Sequence, residues 1–242
     1  MPQLSMRSGL FPATQWTDVL NAREAESVEA RDALEALACA YWKPLYIFLR
    51  QRGAGEDSAA DSVQGFFEHL LGTDFLAKVR VREGKFRTFL LTSFTNWLSN
   101  ERAAANAQKR GGGAWHVPID EVEEHFRAGL VAVDVPPEEA FDRGWARSLV
   151  ELVVAGLAAE AEAAGRDALF AALKGTLSGE PRGETYAELG ARLGMSEGAI
   201  KKAVFDLRGR FGEALRAHVR GTVESDAAVD DELRYLIRLL RS

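Results

Sequence analysis

Residues 185–211 read TYAELGARLGMSEGAIKKAVFDLRGRF. The apolar residues recur at helical spacing, and the run is broken once, at a glycine. Thr185 is placed to cap a first helix whose inward residues are Tyr186, Leu189 and Leu193. Gly194 supplies the left-handed residue that a tight helical corner needs. Ser196 caps the next helix, and Glu197 lies in its first turn, where an acid suits the helix dipole. Ile200, Val204, Leu207 and Phe211 follow at steps of four, three and four residues, so they form one buried stripe. The opposite face carries Gly198, Lys202, Phe205, Asp206 and Gly209. This pattern predicts a helix-turn-helix.

Outward from this pair, helical periodicity continues and strand signals are almost absent, which predicts an all-α fold: two helical domains joined by an acidic linker. A helix over 30–52 is expected to bend or break near Pro44, because proline lacks the donor and clashes with the preceding turn. A second helix over 56–71, a turn near 74–79 and a long helix over 85–109 follow, the last ended by the glycines at 111–113. Pro137 and the two glutamates after it open another helix, with Phe141, Trp145, Leu149, Leu152 and Val153 on one face and an end near Gly165. A shorter helix lies at 167–177, then a loop at 178–184. The last helix carries Val229, Leu233, Leu236, Ile237 and Leu240 as its apolar stripe and is expected to fold back onto its own domain, the alternatives being a lid over the DNA-binding face or a dock for a regulator. The domains read as 1–112, a linker at 113–136, a second domain at 137–221 and a C-terminal extension at 222–242.

The totals narrow the function classes. The chain has 242 residues, 47% of them hydrophobic, enough for two ordinary cores. Cys39 is the single cysteine, so no internal disulfide framework exists and a reducing compartment fits. No apolar run has the length of a membrane span and no charged-then-apolar leader opens the chain, so a cytoplasmic protein located at the nucleoid is expected. His69, His116, His125 and His218 have no metal-ligand spacing, and Gly84-Lys85 lacks the upstream glycine of a phosphate loop. No nucleophile-and-base signature stands out. An enzyme, a metal site and a cofactor are therefore not expected.

Net charge is −6, where a free-standing DNA-binding protein would usually show a basic total. The charge lies in blocks: residues 78–110 hold eight cations against two acids, residues 114–142 eight acids against Arg127, and residues 197–220 six cations against three acids. Blocks of this kind suggest that different segments meet different partners. The length of the turn, its glycine and the capping serine favour a DNA-binding helix-turn-helix over a hairpin from any bundle. Asp206 then sits where a cation would suit a polyanion. It lies one turn from Lys202 and one turn from Arg210, and pairing with each is worth about 0.2–0.5 kcal/mol. It is also able to accept from a cytosine amino group in the major groove.

Two blocks of sequence, in order, resemble the sigma-70 family of bacterial RNA polymerase sigma factors. YAELGARLGMSEGAIKKAVFDLR (186–208) resembles the region that reads the −35 promoter element. DSVQGFFEHLL (61–71) resembles the helix that docks on the polymerase clamp, and GKFRTFLLTSFTNWLSNERAAANAQKRGGG (84–113) the adjoining segment that opens and reads the −10 element. FPATQWTDVL and YWKPLYIFLRQRG extend the likeness, which covers roughly residues 10–240. The chain resembles extracytoplasmic-function sigma factors of a subgroup with a C-terminal extension.

The resemblance implies core RNA polymerase, through its β′ clamp, and promoter DNA as partners; an anti-sigma factor and a Ser/Thr kinase are the regulators it admits. It assigns clamp contacts to Ser58, Asp61, Gln64 and Phe67. It assigns −10 contacts to Arg80, Arg82, Lys85, Arg87, Asn96, Asn100, Arg102, Lys109 and Arg110. It assigns −35 contacts to Ser196, Lys201, Lys202, Phe205, Asp206, Arg208 and Arg210. The aromatics Phe86, Phe89, Phe94 and Trp97 have the spacing of a buried stripe and are read as core before base-stacking platforms. The acidic linker corresponds to the family segment that threads the polymerase cleft, where carboxylates mimic nucleic acid.

Two departures from the family pattern stand out. The docking helix opens with SAAD (58–61) where the family carries several carboxylates, leaving Asp61. Phosphorylation of Ser58 or Ser62 would add about −1.5 to −2 charges at that helix start and restore docking; the plainer reading makes these serines polar surface and caps. The family also places arginines near positions held here by Ala203 and Asp206. A stand-alone helix-turn-helix regulator, or a sigma-like protein that binds polymerase without initiating, are the rival readings.

Overall fold

The computed structural model describes residues 28–72, 85–105, 135–178 and 184–241. Among them every regular element is a helix: α1 (Val28–Gln51), α2 (Glu56–Gly72), α3 (Phe86–Ala105), α4 (Pro137–Ala163), α5 (Asp167–Leu173), α6 (Gly175–Ser178), α7 (Tyr186–Leu193), α8 (Glu197–Arg220) and α9 (Asp226–Arg241). The turn expected near 74–79, the tail of the long helix beyond residue 105 and almost all of the acidic linker lie outside the described residues.

The chain forms two compact units, divided after residue 148 and again after residue 217, inside α4 and inside α8. The first unit takes in α1, α2, α3, the start of α4 and residues 218–241. Its core is aromatic: Tyr41, Tyr46, Phe48, Phe66, Phe94 and Phe141 are almost fully buried. Phe66 meets Phe94 edge-on at 5.0 Å, while Tyr41 stacks on Trp145 at 6.3 Å. Pro44 does not break α1, which runs through it as one helix. Gly144 of α4 lies against Pro44, and a Cβ there would stand 3.3 Å from the Pro44 Cα. A glycine thus lets α4 lie close beside the turn where proline has removed a donor.

The second unit holds the rest of α4, α5, α6, α7 and α8 to residue 217. Val153 and Leu157 of α4 pack with Leu173, Leu189, Ile200, Val204 and Leu207 in one core. Gly165, at φ 64°, ends α4: its left-handed conformation lets the Arg166 amide reach back to the Ala161 carbonyl at 2.7 Å.

Residues 218–241 belong to the first unit, and the inward face of their helix departs from expectation. The buried stripe of α9 is Val229, Glu232, Leu236 and Leu239, while Ile237 and Leu240 are exposed. Periodicity alone favoured Ile237 and Leu240 as core, because a glutamate does not count as an inward residue until its partners are known.

Candidate nucleic-acid interface

The α7–α8 corner is built from local signals that agree. Thr185 accepts from the Glu188 amide at 3.2 Å and Glu188 accepts from the Thr185 amide at 2.7 Å, a reciprocal capping box. The bonds from Thr185 hold the Glu188 carboxyl below its ordinary range. Gly194 has φ 66° and closes α7. The Ala199 amide donates to Ser196 Oγ at 3.2 Å and opens α8. Gly190 makes the corner tight: the Met195 amide donates to its carbonyl at 2.8 Å, and a Cβ on Gly190 would sit 2.5 Å from the Met195 carbonyl oxygen.

With Ile200, Val204 and Leu207 inward, α8 presents Lys201, Lys202, Phe205 and Asp206 to solvent. Phe205 is 77% exposed, an unusual place for a large apolar ring. The cations are held by acids of the same unit. Lys202 donates to Asp206 at 2.6 Å and Lys201 to Glu197 at 2.6 Å, a bond that raises the Lys201 pKa. Arg210 pairs with Glu160 of α4 rather than with Asp206. Arg208 donates to the Thr176 carbonyl at 3.1 Å, so it braces α8 against α6. Beside this face lies a groove of about 570 Å³ whose apolar floor includes Leu169, Phe170 and Leu207, with Arg166, Asp206, Arg210 and Glu213 around it.

The face of α3 in the first unit is of another kind. Phe86, Leu90 and Phe94 are buried and Phe89 and Trp97 half-buried, as the stripe spacing requires. Thr88, Thr92, Asn96, Ser99 and Asn100 are exposed and form a neutral polar stripe. Arg87, expected at DNA, is instead buried; it pairs with Asp142 of α4 and Glu232 of α9 and lies against the Trp145 ring at 5.2 Å. Lys85 pairs with Glu232 at 2.7 Å, and burial with the nearby Arg87 charge pulls its pKa down. Arg80, Arg82, Lys109 and Arg110 lie outside the described residues, as does the side chain of Arg102.

On α2, Ser58 and Asp61 are exposed near the helix start, one turn apart, and Ser62 is half-buried. Gln64 donates to Glu68 at 3.1 Å. Phe67, expected at the clamp, is 8% exposed and packs beside Phe66, so its ring belongs to the core as the unit stands.

Known protein families, curated proteins and solved structures provide no match to this chain. Among the described residues no group of His, Cys, Asp and Glu could hold a metal ion, and no helix is long and apolar enough to cross a membrane.

Three residues that shape these faces were missed in the sequence. Glu188 carried a signal, because Thr-x-x-Glu is a capping box. Gly190 carried a weaker one, since a glycine inside a helix is costly unless something comes close. Glu232 carried none: its partners lie far away in the chain.

Proposed function

We propose that the chain is a sigma factor of the extracytoplasmic-function type, which brings core RNA polymerase to promoters and starts transcription there. The observation that carries the DNA-binding part is the α7–α8 corner: capped at both helix starts, turned by Gly194, closed on Gly190, with Lys201, Lys202, Phe205 and Asp206 outward. The resemblance of 61–71 and 84–113 to the clamp-docking and −10 segments extends that to polymerase.

In this reading α8 inspects duplex DNA. Lys201 and Lys202 are held by exposed i,i+4 pairs, which cost little to exchange for phosphates. Asp206 lowers general phosphate attraction, so the polymerase supplies the affinity that the head lacks. The neutral stripe of Thr88, Thr92, Asn96 and Asn100 on α3 offers donors and acceptors suited to base edges rather than phosphates. Ser58 and Asp61, exposed one turn apart, are the clamp contacts of α2, and a phosphate on Ser58 would strengthen them.

Burial of Arg87 favours a second reading, a sigma-like protein that binds polymerase without opening DNA. Reconstituted transcription with core polymerase separates the two: initiation at selected fragments supports the first, and polymerase binding without initiation the second. A stand-alone regulator would bind duplex DNA and leave polymerase alone.

A further inference from the structure

Lys85 and Arg87 open α3, and the last helix of the chain takes the charge of both. Glu232 of α9 has a fully buried side chain; its Oε2 lies 2.7 Å from Lys85 Nζ and its Oε1 forms an ion pair with Arg87 Nη1. Arg87 Nε donates to Asp142 Oδ1 at 2.7 Å, and Tyr235 Oη donates to Asp142 Oδ2 at 2.6 Å. The Tyr235 ring lies 5.1 Å from Lys85 Nζ and 5.2 Å from the Arg87 guanidinium carbon. The Phe86 amide donates to the Thr222 carbonyl at 3.1 Å, tying the segment before α9 to the same helix start.

We infer that α9 is a built-in competitor for the opened promoter strand: the Glu232 carboxylate occupies the Lys85–Arg87 cation pair that a DNA phosphodiester takes once α9 has moved away. The inference rests on the sigma-factor reading above and adds to it a closed state of the −10 segment. Lys85 Nζ and Arg87 Nη1 can face a phosphate oxygen as they face the Glu232 carboxylate, while Arg87 Nε keeps its bond to Asp142, so one anion can replace the other without rebuilding the site. A buried ion pair is a poor device for stability, since apolar residues of equal volume usually do as well. It is a good device for an exchange, because Arg87 keeps Asp142 as a partner when Glu232 leaves. The remaining hold of α9 is modest: Val229, Leu236 and Leu239 are its buried apolar residues, while Ile237 and Leu240 face solvent. An element of this kind can open locally without unfolding its unit. Residues 221–225 connect it to α8 without helix and serve as the hinge.

The test uses the full chain and a labelled oligodeoxythymidylate, with hydrogen exchange of α9, strand affinity and run-off transcription with core polymerase as readouts. Strand binding is expected to strip α9 of exchange protection in the unaltered protein. Glu232→Gln is expected to bind the strand about tenfold tighter, the effect of freeing Lys85 and one arm of Arg87, and adding Lys85→Ala is expected to remove most of that gain. Tyr235→Phe, which keeps the Glu232 pairs and loosens the tether, is expected to give a smaller gain and guards against misfolding of the first variant. A bound strand with α9 protection unchanged, absence of strand binding by every form, or equal affinity in both single variants and the parent would each overturn the competitor. Failure of all forms to initiate from any promoter, with the strand-binding gains intact, would instead sink the sigma-factor reading.

Discussion

Lys202 and Asp206 stand one helical turn apart on the exposed face of α8 and share a hydrogen bond of 2.6 Å. In the proposed DNA-reading role of α8, this carboxylate would neutralise a cation otherwise open to a phosphate. Asp206→Arg should raise the affinity of the free protein for duplex DNA by about tenfold at low salt and steepen its salt dependence by roughly one to two phosphates. Fluorescence anisotropy across a salt series checks this. An unchanged affinity would remove the idea that the head is held weak until polymerase carries it.

The close approach at the corner makes a second expectation. A Cβ at Gly190 would collide with the Met195 carbonyl, whereas one at Gly194 meets open space and suffers only from φ 66°. Gly190→Ala should therefore cost about 1–3 kcal/mol, by overpacking against backbone. Gly194→Ala should cost about 1 kcal/mol, from the left-handed conformation alone. Denaturant unfolding gives both numbers, and the reverse order would show that the corner is not packed in this way.

The fold was legible in the sequence where its signals are local. The ends of α4, α7 and the start of α8 follow from Pro137, Gly165, Thr185, Gly194 and Ser196, because caps and left-handed glycines act within a turn of themselves. The inward stripe of α8 was legible for the same reason. The seat of α9 was not, because it depends on Glu232 meeting Lys85 and Arg87 across most of the chain. Pro44 lies inside an unbroken α1, and the close approach of Gly144 of α4 beside it was equally out of reach of local signals. Arg87 and Phe67 show the same limit at the candidate site, since burial is a property of the assembled unit and not of the residue.

Acid should loosen the corner. Glu188 has its pKa lowered, first by the bond from the Thr185 amide, so its contribution is complete above the ordinary value of 4.5 and is lost as pH falls through the lowered one. The Thr185 amide resonance should shift in a pH titration with a midpoint below 4.5. In Glu188→Gln, which keeps an acceptor at every pH, that titration should vanish. A midpoint at or above 4.5 in the parent protein would contradict the capping box.

Alkali should act on α9. Burial and the Asp142 carboxylate push Tyr235 up from 10.0 to about 12, so the folded state resists its ionisation. The stability that Tyr235 gives over phenylalanine should be constant below pH 10.0 and disappear as pH rises to about 12. Below that window Tyr235→Phe should cost about 1.5–3 kcal/mol, the worth of a hydrogen bond to a charged group. Unfolding of the two proteins across the alkaline range reads the difference directly; a cost independent of pH would mean that the hydroxyl does not hold Asp142.

The most direct measurement is run-off transcription from a genomic fragment library with bacterial core RNA polymerase and the purified chain. The chain should be retained by core polymerase, and discrete transcripts should start from a limited set of fragments only when it is added. No retention and no transcript, with Ser58→Asp or without it, would contradict the assignment outright.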